Sequence, residues 1–135
     1  MKTLVLYYSL TGHSKTLAEA YAAKKSLPIS QITDASKPGK LKAYTIGCFG
    51  AIRGGSWPIT TDKPLEDYER IVLFSPVWAG STPPSVNAAL SKLASGTRVD
   101  VNMVSASGKS TCRGRLETKL KSKDCSLSSF TDVKG

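Results

Sequence analysis

Residues 3–14 read TLVLYYSLTGHS, a short apolar run that passes directly into a turn rich in Ser, Thr and Gly. An unbroken apolar run of this length is typical of a strand that is buried on both faces, and such strands usually belong to parallel sheets. A second run, RIVLFS at residues 70–75, has the same character. The two runs therefore predict the central strands of a sheet that is covered on both sides.

Helix and strand signals alternate along the rest of the chain. After the first strand, the pattern predicts a helix ending near Lys25, a strand over Leu27–Thr33, a helix over Gly39–Arg53, the strand at residues 70–75, a helix over Thr82–Leu93, a strand over Val99–Met103, a helix over Cys112–Leu120 and a strand over residues 125–133. Strict alternation predicts a doubly wound α/β fold in which a parallel sheet carries helices on both faces. Ligands bind such sheets beyond the carboxyl ends of the strands. The candidate site is therefore built from the loops at residues 9–14, 75–82 and 105–111.

The composition indicates one ordinary globular domain over residues 1–135. The chain has 19 Lys and Arg against 10 Asp and Glu, a formal net charge of +9. No stretch approaches the roughly 20 apolar residues of a membrane helix, and no cleavage site follows the first apolar run. We therefore expect a cytoplasmic protein without membrane association. The positive charge suits an anionic partner, but the charge alone does not distinguish a phosphorylated ligand from nucleic acid or an acidic protein.

Cysteine and histidine usage excludes the common metal and disulfide frameworks. The chain has three widely spaced cysteines, Cys48, Cys112 and Cys125, and a single histidine, His13. No CxxC pair or His/Cys ligand pair occurs, so no metal site is expected. A P-loop is excluded as well, because Met103 stands where that motif requires its first glycine before Gly108-Lys109-Ser110.

The first loop has the features of a phosphate site. It consists of Ser9-Leu10-Thr11-Gly12-His13-Ser14 and leads directly into a predicted helix. Hydroxyl groups and free backbone N–H groups at the positive end of a helix are suited to a phosphate, and a glycine allows close approach. The alternative is an ordinary capped turn, since Thr16-Leu17-Ala18-Glu19 matches a capping box.

Three segments together resemble the flavodoxin-like family. The sequence Ser9-x-Thr11-Gly12-x-Ser14 resembles the phosphate loop of that family. The segment SPVWAGSTPP at residues 75–84 resembles the PVWxGxxPP segment that follows the third strand, and Ser105-Ala106-Ser107-Gly108 resembles the loop after the fourth. The resemblance covers essentially the whole chain. It implies a five-stranded parallel sheet in the order 2-1-3-4-5.

The resemblance also implies that the chain binds FMN. The first loop would hold the phosphate through backbone N–H groups and the hydroxyls of Ser9, Thr11 and Ser14, and the other two loops would flank the isoalloxazine ring. Trp78 would stack on the ring; the alternative is a tryptophan that only covers the sheet edge. The implied cofactor-binding residues are Ser9, Leu10, Thr11, Gly12, His13, Ser14, Pro76, Val77, Trp78, Ala79, Gly80, Ser105, Ala106, Ser107 and Gly108.

Two functions remain open at this point. The resemblance implies an electron-transfer flavoprotein or a small NAD(P)H-dependent flavin or quinone oxidoreductase, with an acidic redox partner protein or a small-molecule acceptor. The alternative is a flavodoxin-like domain that has no flavin and uses its basic surface to hold an acidic partner or nucleic acid. Nucleic acid is disfavoured, because residues 105–123 contain no aromatic side chain for base stacking.

The end of the sequence departs from the family pattern. The last predicted strand is followed directly by Gly135, whereas the family continues into a last helix. Asp100 and Asn102 would lie on a polar face of the fourth strand and would suit a sheet face that is left uncovered. A homodimer, where one forms, is expected to use this region, including Phe130 and Val133.

Overall fold

The apolar runs form the centre of a six-stranded sheet. A computed structural model describes residues 2–9, 12–34, 59–77, 82–105, 108, 110 and 113–134. Its strands are β1 (Thr3–Tyr7), β2 (Ile29–Asp34), β3 (Ile59–Thr61), β4 (Arg70–Pro76), β5 (Arg98–Ser105) and β6 (Ser126–Lys134). The order is β3-β2-β1-β4-β5-β6. Strands β1 and β4 are parallel, with Val5 opposite Val72, and both side chains are buried.

The predicted parallel order is confirmed for five strands, and a sixth strand was missed. Strands β2, β1, β4, β5 and β6 are parallel throughout and correspond to the predicted order 2-1-3-4-5. Strand β3 pairs with β2 in the antiparallel direction at the sheet edge. Three residues are too short for a period-2 pattern to stand out. The turn after β3 is held by Ser30, whose hydroxyl accepts the N–H groups of Asp62 and Lys63 at 3.0 and 3.2 Å.

Three helices cover the sheet in the described residues. They are α1 (His13–Lys25), α2 (Pro84–Leu90) and α3 (Arg113–Ser122). Helix α2 is shorter than the predicted stripe, since it ends at Leu90, although Leu93 beyond it is still buried. The helix predicted over residues 39–53 lies outside the described residues. Within the described part, no helix is long and apolar enough to cross a membrane.

Successive residues along the central strands face opposite sides of the sheet and contribute to two separate apolar cores. On one side of the sheet, α2 and α3 pack on Leu4, Leu6, Leu73 and Val101. On the other side, α1 packs on the next residues along the same strands, which are Val5, Tyr7, Val72 and Phe74. The central strands are therefore buried on both faces, as their unbroken apolar sequence predicts.

Polar groups occupy the α1 side of strands β5 and β6. Strand register places Asp100 and Asn102 on this side, next to Val72 and Phe74 of β4. The sequence interpretation of Asp100 as an uncovered polar group is wrong, because the residue is only 6% exposed. Asp100 forms an ion pair with Arg70 and accepts a hydrogen bond from the hydroxyl of Ser129 at 3.0 Å. Asn102 is half-buried and donates to the carbonyl of Leu73. A buried carboxylate is tolerated here because it is paired and hydrogen-bonded.

We predict that Leu73→Ala lowers the free energy of unfolding by about 2–5 kcal/mol, the range for removing a leucine from a closed core. Leu73 is completely buried. The matched control is Leu127→Ala on the edge strand β6, where the leucine is only partly buried. Urea unfolding followed by circular dichroism measures both changes. Equal losses in the two variants would contradict the assignment of the core to the centre of the sheet.

Candidate functional site

The three candidate loops leave neighbouring strands at the same edge of the sheet. Strands β1, β4 and β5 are adjacent and parallel, with Tyr7 opposite Phe74 and Pro76 opposite Val104. Their carboxyl ends therefore lie side by side, and the loops that follow them share one edge. The second and third loops follow the first by about 65 and 95 residues in sequence. Only the pairing of these strands brings the three loops together.

Gly12 shapes the first loop and begins α1. Its φ of +95° lies in the left-handed region, which side chains other than glycine rarely adopt. Its N–H donates to the hydroxyl of Ser9 at 2.8 Å. Its carbonyl accepts the N–H of Thr16 at 3.0 Å and the hydroxyl of Thr16 at 2.9 Å. The capping-box interpretation is wrong, because α1 starts at His13 and Thr16 therefore lies inside its first turn. Among the described residues, no side chain caps the helix.

The amino end of α1 is an electropositive position at this edge. The first N–H groups of a helix have no acceptor within the helix, and the aligned peptide dipoles add a partial positive charge there. The first turn of α1 contains no acidic residue, so no carboxylate of that turn offsets this charge. Ser14 is buried, whereas His13 and Lys15 are exposed. The arrangement of backbone donors, a hydroxyl group and two basic side chains is suited to an anion such as a phosphate.

A shallow cleft opens beside the first turn of α1. Its volume is about 220 Å³, and its lining comprises His13, Thr16, Leu17 and Lys134. Lys134 is the residue at this edge that the sequence interpretation missed. The signal for it was the predicted last strand, because a parallel β6 must end at the same sheet edge as β1 and β5.

The loop after β5 is fixed by contacts with the end of β6. Gly108 has a φ of +68°, and its N–H donates to the carbonyl of Ser105 at 3.2 Å. A Cβ added to Gly108 would lie 3.2 Å from the Cβ of Lys134, so a larger residue would press on β6. Ser110 donates to the carboxylate of Asp132 at 2.6 Å. Both contacts hold this loop close to the sheet.

The loop after β4 starts from a buried position. Ser75 is completely buried, and its hydroxyl donates to the carbonyl of Pro76 at 2.9 Å. Val77 is partly buried against the core on the α2/α3 side. The remaining residues of this loop that the sequence assigned to the site, Trp78, Ala79 and Gly80, lie outside the described residues.

The described part of the site thus contains eight of the assigned residues, all on this edge or on the loops that leave it. They are Ser9, Gly12, His13, Ser14, Pro76, Val77, Ser105 and Gly108. Leu10, Thr11, Ala106 and Ser107 lie outside the described residues, as does the group from Trp78 to Gly80. In the described ranges, no cluster of three or more His, Cys, Asp or Glu side chains could hold a metal ion.

Tyr7 closes β1 just below the first loop. Burial raises the pKa of its phenol above the ordinary value, and the carboxylates of Glu19 and Asp62 raise it further. A phenol is protonated at neutral pH even at its ordinary pKa, so Tyr7 is neutral there as any tyrosine would be.

The chain superposes on several solved structures of flavoproteins. The chain superposes on a flavoprotein of Lactobacillus acidophilus NCFM in complex with FMN with a TM-score of 0.75 and 21% identity, covering 96% of this chain and 91% of that one. The apo-form of the flavoprotein of that organism gives a TM-score of 0.69 and 21% identity, covering 97% and 92%. Oxidised flavodoxin 1 of Bacillus cereus gives 0.56 and 15%, covering 100% and 86%. No protein-family model matches the chain.

We predict that Gly12→Ala destabilises the protein by about 1–2 kcal/mol, the cost of a left-handed backbone for a residue with a Cβ. Steric overlap does not contribute, since an added Cβ meets no atom within 4 Å in the described residues. The matched control is Gly114→Ala in α3, where a Cβ also meets nothing and where we expect a gain of up to about 1 kcal/mol from helix propensity. Thermal unfolding distinguishes the two signs, and a neutral Gly12→Ala would contradict the assigned conformation.

Proposed function

Because the chain has the flavodoxin-like fold, we propose that it binds FMN non-covalently and transfers electrons through it. One observation carries this proposal, namely the amino end of α1 at the carboxyl edge of β1, reached through the left-handed Gly12 and free of acidic residues in its first turn. That position suits a dianionic phosphate. The similarity to a flavoprotein solved with FMN supports the same ligand.

The first loop would hold the phosphate of FMN. Backbone N–H groups in the first turn of α1 and the hydroxyls of Ser9, Thr11 and Ser14 would be the donors. Ser9 already accepts the N–H of Gly12, so its own O–H remains able to donate to a phosphate oxygen. The exposed side chains of His13 and Lys15 lie on the same turn, where positive charge favours an anion.

The other two loops would bind the ring. Pro76, Val77, Trp78, Ala79 and Gly80 would lie along one side of it, with Trp78 as the stacking partner, and the loop over residues 105–108 would lie along the other. Bound FMN supplies the redox chemistry itself, and the protein positions it and tunes its electronics. No side-chain acid or base is required for electron transfer.

A small NAD(P)H-dependent flavin or quinone oxidoreductase is the finer form of the proposal. The electron acceptor would then be a small molecule, whereas a carrier would pass electrons to a redox partner protein. Oxidation of NADH or NADPH by the FMN-loaded protein in stopped flow separates the two forms. Flavin reduction within seconds supports the reductase, and the absence of reduction supports the carrier.

We predict that FMN binds more tightly than riboflavin, which lacks the phosphate, and that His13→Asp removes most of this difference. Repulsion between two unit charges at roughly 4 Å is worth about 1 kcal/mol in water. Because the phosphate carries two charges, the Kd for FMN should rise about tenfold or more. Quenching of flavin fluorescence measures both affinities. Riboflavin binding should not change in the variant.

The matched control is Ala23→Asp, which adds the same charge at the exposed opposite end of the same helix. A carboxylate stabilises the amino end of a helix and destabilises its carboxyl end. His13→Asp should therefore raise the stability of the FMN-free protein while it lowers the affinity for FMN. Ala23→Asp should lower the stability without changing the affinity for FMN. A protein that quenches neither flavin would overturn the proposal and favour a basic binding module without flavin.

A further inference from the structure

Three basic side chains form a ridge along α3. Arg115, Lys119 and Lys123 are four residues apart, which places them on one side of the helix and of the turn that follows it. We call these three residues the α3 basic ridge. A four-residue step corresponds to about 6 Å along a helix. The ridge therefore presents positive charges at a regular spacing over about 12 Å.

The carboxyl end of the ridge is held in place by α2. The ammonium group of Lys123 donates to the carbonyl of Ser91, directly after the last residue of α2. The next residue, Lys92, is exposed and adds a further positive charge beside the ridge. The basic surface thus continues from α3 onto the end of α2.

No ion pair between described residues neutralises the two lysines of the ridge. In the part of the chain that the structure describes, ion pairs join Arg70 to Asp100 and Arg113 to Glu117. The other acidic residue next to the ridge, Asp124, accepts the hydroxyl of Ser95 at 2.7 Å. Lys119 is half-buried, and burial together with the neighbouring charge of Lys123 lowers the pKa of its ammonium group. Two neighbouring lysines of like charge, with no ion pair to another described residue, favour an anionic partner.

We propose that the α3 basic ridge docks an acidic segment of a protein partner. Carboxylates that are four residues apart on a partner helix repeat at the same spacing of about 6 Å. A nucleic acid fits less well, because residues 105–123 contain no aromatic side chain on which bases could stack. The identification of this partner as a redox protein rests on the proposed function. Helix α3 starts at the edge that carries the proposed flavin site, so a partner lying along it reaches that edge.

The test uses a fluorescent 20-residue peptide with Glu at every fourth position and Ala at the others as the probe, and the full chain as the receptor. Fluorescence anisotropy at low salt gives the Kd for the protein, for Lys119→Glu/Lys123→Glu and for Lys24→Glu/Lys25→Glu. The second pair is an exact charge match, since both of its lysines are exposed in the last turn of α1, on the opposite side of the sheet. We expect the ridge variant to lose about tenfold or more in affinity, because two attractive pairs become repulsive, and the control less than about threefold.

Three further measurements keep the outcomes distinct. Lys119→Gln/Lys123→Gln removes charge without burying a carboxylate and should lose an intermediate amount, and circular dichroism verifies that each variant is folded. FMN titration of the same variants should give an unchanged Kd, so failure of the flavin proposal is recognised separately. Equal losses in the ridge and control variants would overturn the proposal, as would tighter binding of a 20-nucleotide single-stranded DNA than of the acidic peptide.

Discussion

Parallel pairing of β1 and β4 is the constraint on which the other features depend. Both strands are buried on both faces, so their backbone groups must be satisfied by strand partners. Parallel neighbours cannot be joined by a tight turn and require a crossover, which places a helix on a face of the sheet. The same geometry brings the carboxyl ends of β1, β4 and β5 to one edge. The candidate site is a consequence of this pairing rather than of any local motif.

The constraint also aligns α1 with the site. A helix that follows a parallel strand begins at the carboxyl edge, so its positive end faces the place where ligands bind. Gly12 allows the chain to turn from strand to helix through a left-handed backbone. The first turn of this helix contains no acidic residue. The backbone geometry and the electrostatics of this position therefore both favour a bound anion.

Sequence patterns predicted the elements whose signals are long and uniform. The apolar runs identified β1 and β4, alternation of strands and helices identified a parallel sheet, and the family resemblance implied the order of its five strands. The three-residue β3 was missed because it is too short for a period-2 pattern, and because the sequence does not show that the hydroxyl of Ser30 holds the turn after it. Asp100 was interpreted as an uncovered polar group because the sequence does not show that Arg70 and Ser129 lie beside it.

The candidate site was predictable to the extent that its residues lie in the loops after β1, β4 and β5. Lys134 was missed because its place beside Gly108 follows from β6 ending at the same edge, a three-dimensional relation that no local motif contains. The capping box at Thr16 was an incidental match, because α1 begins three residues earlier. Local motifs thus indicated the type of site, and strand pairing decided its composition.

The central claim is that the amino end of α1 holds the phosphate of FMN. The most direct measurement is a titration of ¹⁵N-labelled protein with FMN, followed through the backbone amide resonances. We expect the amides of His13, Ser14 and Lys15 to shift strongly downfield as phosphate oxygens accept their hydrogen bonds, and riboflavin to leave them nearly unchanged. Equal shifts with both flavins, or FMN shifts confined to other parts of the chain, would contradict it.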